Sequence, residues 1–222
     1  MTLSAVLFDM DGLLVNTEPM WLDVEHETLA VLGGTWSEAD HRAVMGASMA
    51  HATTYIRRVS GTDRTDAHVA ELMIAGMLQR LADAEIPIQP GAAELIADVA
   101  GSGVPYALVS ASERTLVDLV LAYLARCGLP GFPVSVAGDE VARSKPDPLP
   151  YLRAAELLGV DITRAIVLED SANGVRAGWS AGATVVAVPH VVPIEPGERI
   201  VVRTSLVGLD VAELAALVGP RS

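Results

Sequence analysis

Asp9 and Asp11 stand two positions apart, directly after Ala5-Val6-Leu7-Phe8 and directly before Gly12. The apolar run reads as a fully buried strand. It stops on a carboxylate, and Gly12 supplies the freedom for a sharp exit turn. Ligands of open α/β sheets collect at the carboxyl ends of the strands, so Asp9 sits where chemistry is usual. Two carboxylates this close repel one another unless a cation or a shared proton relieves them. Three later segments carry complementary groups: Ser110-Ala111-Ser112, Lys145 before Pro146, and Glu169-Asp170. Each has a plain alternative. Asp-x-Asp-Gly can be a strand end and turn, Ser112 is expected to cap a helix, Lys145 can be a surface lysine, and Glu169-Asp170 can favour the positive end of a helix. As a set they fit phosphoryl transfer. Clustered carboxylates suit a hard divalent cation such as Mg²⁺, and the cation and a lysine ammonium offset the repulsion between a carboxylate nucleophile and an anionic phosphoryl group. A covalent aspartyl-phosphate divides one difficult displacement into two, and a second carboxylate can move the proton.

The elements that must position these groups follow from periodicity. After Gly12 the pattern becomes helical: 18–32, with Trp21, Val24, Thr28 and Val31 on one side and Gly33-Gly34 as the stop, then a helix opened by a capping box at Ser37-Glu38-Ala39-Asp40 and ending near Gly46. Residues 48–59 and 65–84 are two further helical stretches, and residues 18–84 contain no good strand. Strand and helix alternate after Pro90-Gly91. Strands are expected at 104–109, 134–137, 165–168, 184–188 and 200–202, and helices carry the stripes Ala92/Leu95/Ile96/Val99 and Leu116/Leu119/Val120/Tyr123/Leu124. Pro148 suits the first turn of a helix to Leu158, a helix starts close to Ser171, and 211–218 closes the chain. This alternation predicts an α/β fold with a doubly wound parallel sheet. Its parallel strands bring Asp9, Ser110 and Glu169-Asp170 to one edge.

Composition bounds the partners. The chain has 222 residues, 51% of them hydrophobic, enough for a sizeable core with a smaller inserted unit. A formal net charge of −13 argues against nonspecific nucleic-acid binding. It also means that any phosphate site must make its own local positive field. Cys127, the single cysteine, excludes an internal disulfide and reads as a small core residue. Residues 1–8 form no signal peptide and no stretch has the length of a membrane span, so the expected compartment is the cytoplasm. The five histidines form no metal pattern. Trp21 and Trp179, in apolar helical settings, are expected to pack and not to stack on a ligand.

The segments Phe8-Asp9-Met10-Asp11-Gly12-Leu13-Leu14, Val109-Ser110-Ala111-Ser112, Ser144-Lys145-Pro146 and Leu168-Glu169-Asp170-Ser171-Ala172-Asn173-Gly174 resemble, in order and placement, the haloacid dehalogenase-like superfamily. The branch is the one that includes β-phosphoglucomutase and many sugar-phosphate phosphatases. The resemblance implies a Rossmann-like catalytic core at 1–14 and 88–222 with an inserted α-helical cap domain at 15–87. It implies Asp9 as nucleophile and Mg²⁺ ligand, and Asp11 as general acid/base whose backbone carbonyl also serves the metal. Ser110 and the backbone at Ala111 would bind the transferring phosphate, Lys145 would bridge nucleophile and phosphate, and Asp170, with Glu169 as ligand or supporting partner, would complete the metal site. In the cap, Glu18 is a candidate for substrate contact, as are Gly46 and Ser48 of Met45-Gly46-Ala47-Ser48. Mutases of this branch carry an arginine just after that Gly-x-Ser; here the residue is Met49, with Arg57 and Arg58 two turns further on. Asn16 stands where relatives often have aspartate.

The expectation is therefore a Mg²⁺-dependent phosphatase acting on a small phosphorylated metabolite, a sugar or polyol phosphate, as a monomer or weak dimer. A β-phosphoglucomutase-like isomerase and a non-catalytic phosphate-binding regulator are the alternatives.

Overall fold

The computed structural model describes residues 3–45, 47–83, 85–189 and 192–218. The strands are β1 (Ala5–Phe8), β2 (Tyr106–Val109), β3 (Val134–Val136), β4 (Ala165–Glu169), β5 (Thr184–Ala187) and β6 (Ile200–Val202). They form one sheet in the order β3-β2-β1-β4-β5-β6, and every pairing is parallel. The chain winds outward from β1 in one direction and from β4 in the other, so the order reverses between these two strands. A crevice opens at such a reversal, on the carboxyl side. Register brings the motif residues into line there: Phe8 is opposite both Leu108 and Leu168, which makes Asp9, Val109-Ser110 and Glu169 the next residues out.

Alternation along the strands sends side chains to the two faces. Val6, Phe8, Leu108, Ile166 and Leu168 pack against α5 (Ala92–Ser102), α6 (Arg114–Arg126) and α9 (Val211–Leu217). Leu7, Ala107, Val109, Val167 and Val185 pack against α7 (Leu149–Leu158) and α8 (Ala172–Ala181). A sheet covered on both sides needs strands that are apolar throughout, and β1 and β4 are buried at every position.

Four helices follow β1: α1 (Glu18–Val31), α2 (Glu38–Val44), α3 (Met49–Ser60) and α4 (Asp66–Asp83). The capping box that opens α2 is formed, with Ser37 N donating to Asp40 Oδ2 at 3.0 Å and Asp40 N to Ser37 Oγ at 3.3 Å. α4 packs on α1, α3 and α6, so the apolar core runs from Phe8 and Leu116 into Val24, Ile56, Met73 and Met77 without a break. The chain enters and leaves this helical unit side by side: Val15 bridges Ile88 in antiparallel fashion, Asn16 N donates to Pro87 O at 2.8 Å, and Gln89 N to Leu14 O at 2.9 Å. Among the described residues no helix is long and apolar enough to cross a membrane.

Some expectations need correction. Val31 is 71% exposed. The buried side of α1 is made by Val24, Glu25, Thr28 and Leu29, with Glu25 Oε2 accepting from Trp36 Nε1 and paired with His41 Nδ1 inside. Cys127 is exposed, since it follows the last residue of α6, beyond the stripe Leu116/Val117/Val120/Leu124. Trp179 is half-exposed, with the Arg199 guanidinium 5.2 Å from its ring centroid, instead of lying in an apolar setting. Gly46 and Ala84 lie outside the described residues.

Candidate functional site

Lys145 is 3% exposed, and its ammonium has three acceptors: Asp9 Oδ1 at 2.5 Å, Glu169 Oε1 at 2.6 Å and Val109 O at 2.8 Å. An ammonium has three N–H donors, so the group is saturated and fixed. Tyr151, fully buried on α7, donates its hydroxyl to the same Glu169 oxygen at 2.6 Å. The other oxygen of Glu169 accepts from Ser171 Oγ at 3.1 Å and from the backbone N–H of Asp170 and Ser171 at 3.2 Å each. Burial alone would lower the Lys145 pKa, but Asp9 and Glu169 beside it hold it above the ordinary lysine value. Burial, then Glu169, pushes Asp9 well above the carboxylate range, with Lys145 opposing.

Asp170 follows Glu169 and turns the other way, into the crevice. Its carboxyl is also pushed up, by burial first and then by Asp9 and Glu169. One oxygen from each of Asp9, Glu169 and Asp170 lies within 4.8 Å of the others. Gly12 makes room for this: it has φ +80°, and a Cβ there would lie 2.1 Å from Asp170 Oδ2. Three crowded carboxylates facing one ammonium leave uncompensated negative charge. An all-oxygen donor set of this kind fits a hard divalent cation.

Asp11 is held apart from that cluster by three hydroxyls: Thr17 Oγ1 donates to Oδ1 at 2.6 Å, and Ser112 Oγ and Ser110 Oγ to Oδ2 at 2.8 and 3.2 Å. Ser112 is therefore not the helix cap expected of it; Glu113 occupies the N-cap of α6 without a side-chain cap bond. Ser110 is fully buried beneath Ala111, which reaches the cavity surface.

A cavity of about 330 Å³ lies over these groups. Its floor is Asp9, Asp11, Ser112, Lys145, Asp170 and Asn173, and its roof includes Glu18, Trp21, Arg42, Met45, Met49 and Met73 from the helical unit. Trp21, expected only to pack, both packs on the core and lines this cavity. Ser48 is the N-cap of α3 and accepts from His51 N at 3.4 Å; the neighbours Ala47 and Met49 line the cavity instead. Arg57 pairs with Asp66 at 3.0 Å and Arg58 lies over the Tyr55 ring, so neither reaches the cavity, whereas Arg42 does. Glu18, in the first turn of α1, has its pKa raised to about 7, by burial first and then by Asp11 and Glu25, with His41 opposing. Reading along the chain missed Thr17, Arg42, Ser112 and Tyr151. A Ser-x-Ser after a strand is a signal that could have found Ser112; Tyr151 carries none.

Gly174 is the third residue of α8 and a severe constraint. A Cβ there would lie 1.7 Å from Glu169 Oε1 and 2.1 Å from Oε2. Alanine would gain about 1 kcal/mol in helix propensity, but overpacking costs about 1–3 kcal/mol and also displaces the carboxylate that holds Lys145. We expect Gly174→Ala to lower both the unfolding midpoint and kcat/KM by at least tenfold in the latter, a loss of about 1.4 kcal/mol or more in transition-state binding. Urea melts and steady-state rates check both; unchanged kinetics would show that Glu169 does not position Lys145.

Comparison with known proteins agrees with this geometry. Residues 6–188 match the haloacid dehalogenase-like hydrolases. Protein CbbY of Rhodobacter capsulatus is 34% identical over 196 residues, 85% of this chain and 86% of that protein. Hexitol phosphatase B of Escherichia coli K12 is 32% identical over 189 residues, 83% of each. A crystal structure of a CbbY variant from Rhodobacter sphaeroides with xylulose-1,5-bisphosphate superposes with a TM-score of 0.81 at 28% identity, covering 96% of this chain and 99% of that one. With its parallel sheet, its carboxylate-lysine edge and these relatives, the chain belongs to the haloacid dehalogenase-like hydrolase family.

Proposed function

We propose that the protein is a Mg²⁺-dependent phosphatase for a small sugar or polyol phosphate, working through phospho-Asp9. The observation that carries this reading is the saturated Lys145 ammonium, which fixes the Asp9 carboxylate at the floor of the cavity beside Asp170. Asp9 attacks the phosphorus; Asp11, tethered by Thr17, Ser110 and Ser112, protonates the departing oxygen and then takes a proton from the water that hydrolyses phospho-Asp9. The Ala111 backbone holds a phosphoryl oxygen, and Lys145, its three N–H donors already engaged, sets its positive charge beside the transferring group. Asp9 and Asp170, with the Asp11 carbonyl, would hold Mg²⁺, which when bound offsets the negative charge gathered there. Glu169, already committed to Lys145 and Tyr151, acts by holding Lys145. Residues 15–87 form a cap that closes over the site from the paired segments at Val15 and Ile88.

Hydrolysis is favoured over isomerisation by the roof. A mutase must retain a bisphosphate and needs a strong cationic clamp for the distal phosphate. Met49 lines the cavity, Arg57 and Arg58 are turned away, and the Arg42 side chain is 56% exposed beside Glu38. With Mg²⁺ present, phosphate release from sugar and polyol monophosphates should exceed any interconversion of β-glucose 1-phosphate and glucose 6-phosphate. Phosphorus NMR with a bisphosphate primer follows both products. Full activity in excess chelator would sink the metal-dependent mechanism, and dominant isomerisation without phosphate release would sink the phosphatase reading.

A further inference from the structure

The helical unit contains a line of buried polar groups that phosphoryl transfer does not use. Glu25 is 4% exposed, inside α1, and one of its oxygens accepts from Trp36 Nε1 at 2.9 Å and pairs with His41 Nδ1 at 2.5 Å. Trp36 is fixed in turn by an edge-on contact with Tyr55, whose hydroxyl donates to Asp40 Oδ1 at 3.0 Å. The His41 ring is thereby locked, and its second nitrogen, Nε2, faces Glu18 Oε2 at 3.6 Å. Glu18 is the far end of the line and lines the cavity.

Burying Glu25 and His41 costs free energy that apolar residues of similar size would not. Holding the helices together accounts for the Glu25–His41 contact. It does not account for the aim of Nε2 at Glu18, nor for an acid in a cavity that already holds Asp9, Asp11 and Asp170. A carboxylate there opposes an anionic substrate unless it receives donors from the substrate, and the hydroxyls of a sugar or polyol are such donors. The geometry points to His41 as a positioning residue that holds Glu18 in place to accept the substrate hydroxyls nearest the phosphoester. This inference rests on the phosphatase reading and adds to it the residue that positions the acceptor for the substrate hydroxyls. Burial, Asp11 and Glu25 raise the Glu18 pKa to about 7, and His41 opposes that rise, which favours the carboxylate form.

The test compares sorbitol 6-phosphate with n-hexyl phosphate, an ester of the same chain length without hydroxyls. His41→Asn keeps a donor near the Nδ1 position for Glu25 and removes the group facing Glu18. It should raise KM for sorbitol 6-phosphate about tenfold, the loss of roughly one hydrogen bond to a charged group, with a much smaller change in kcat. The constants for n-hexyl phosphate should change by less than about twofold. Glu18→Gln should show the same selectivity, and the double variant should be no worse than the poorer single variant, because the two residues act as a unit. Equal losses on both esters, no loss, or additive losses would overturn the inference while leaving the phosphatase reading intact. If His41→Asn does not fold, Glu18→Asp, which withdraws the carboxylate by one methylene, carries the same comparison. Should the wild-type protein hydrolyse neither ester and release phosphate from no other sugar or polyol phosphate, the phosphatase reading fails. Calorimetric binding of sorbitol 6-phosphate to Asp9→Asn, with and without His41→Asn, then decides the inference: roughly tenfold weaker binding supports it and equal binding overturns it.

Discussion

Asp9→Asn is expected to lower turnover by about four orders of magnitude or more while the protein stays folded, since loss of a covalent nucleophile removes the pathway and not merely a contact. The amide has the size and shape of the carboxylate but cannot attack phosphorus. Two opposed effects act on stability. Lys145 exchanges a charged acceptor for the neutral amide oxygen and keeps Glu169 Oε1 at 2.6 Å and Val109 O at 2.8 Å. In exchange, Asp170 and Glu169 lose a repelling neighbour, the repulsion that helps hold the Asp9 and Asp170 carboxyls above their ordinary range. The metal-free unfolding midpoint should therefore move little. Phosphate release and urea melts on the same sample measure both quantities, and mass spectrometry after a rapid acid quench should find the phosphoryl group on Asp9 in the wild type and on no residue of the variant. Substantial turnover in Asp9→Asn would falsify the covalent mechanism.

Lys145→Met should have the second largest effect, and it should strike rate and stability together. The side chain is 3% exposed, and its ammonium is the cation that touches both Asp9 and Glu169. Removing one partner of a buried ion pair costs about 3–5 kcal/mol, because the carboxylates left behind face one another without compensation. Removing a fixed positive charge from beside the reacting phosphoryl group costs about 10²–10³ in kcat. Mg²⁺ should restore part of the stability by binding the freed carboxylates, but little of the rate. Arginine is not expected to rescue, since its planar fork cannot occupy the compact pocket between Asp9, Glu169 and Val109. Denaturant midpoints with and without Mg²⁺, set beside steady-state kinetics, separate the two roles; full stability without the lysine would show that its part is in the chemistry alone.

How far these groups were legible along the chain differs from one to the next. Asp9 and Asp170 were readable because a buried strand ending in a carboxylate is a local pattern, and parallel pairing carries every such end to one edge. For the same reason the alternation after Pro90 predicted the doubly wound sheet that is found. Glu169 and Asp170 are adjacent acids that sequence could not tell apart. The turn at the end of β4 aims the first at Lys145 and Tyr151 and the second at the crevice beside Gly12. Ser112 looked like a cap and is a tether for Asp11, 101 residues away in the chain. In the helical unit, periodicity placed four helices but not their rotation, and so offered Arg57 and Arg58 where packing turns Arg42 to the cavity. The Glu25–Trp36–His41 contacts join residues 11 and 16 positions apart on separate segments. Short-range spacing along one chain determines which elements form. Which side chain of each element meets a partner is decided only when several elements bury their apolar faces at once, and that choice belongs to the tertiary structure.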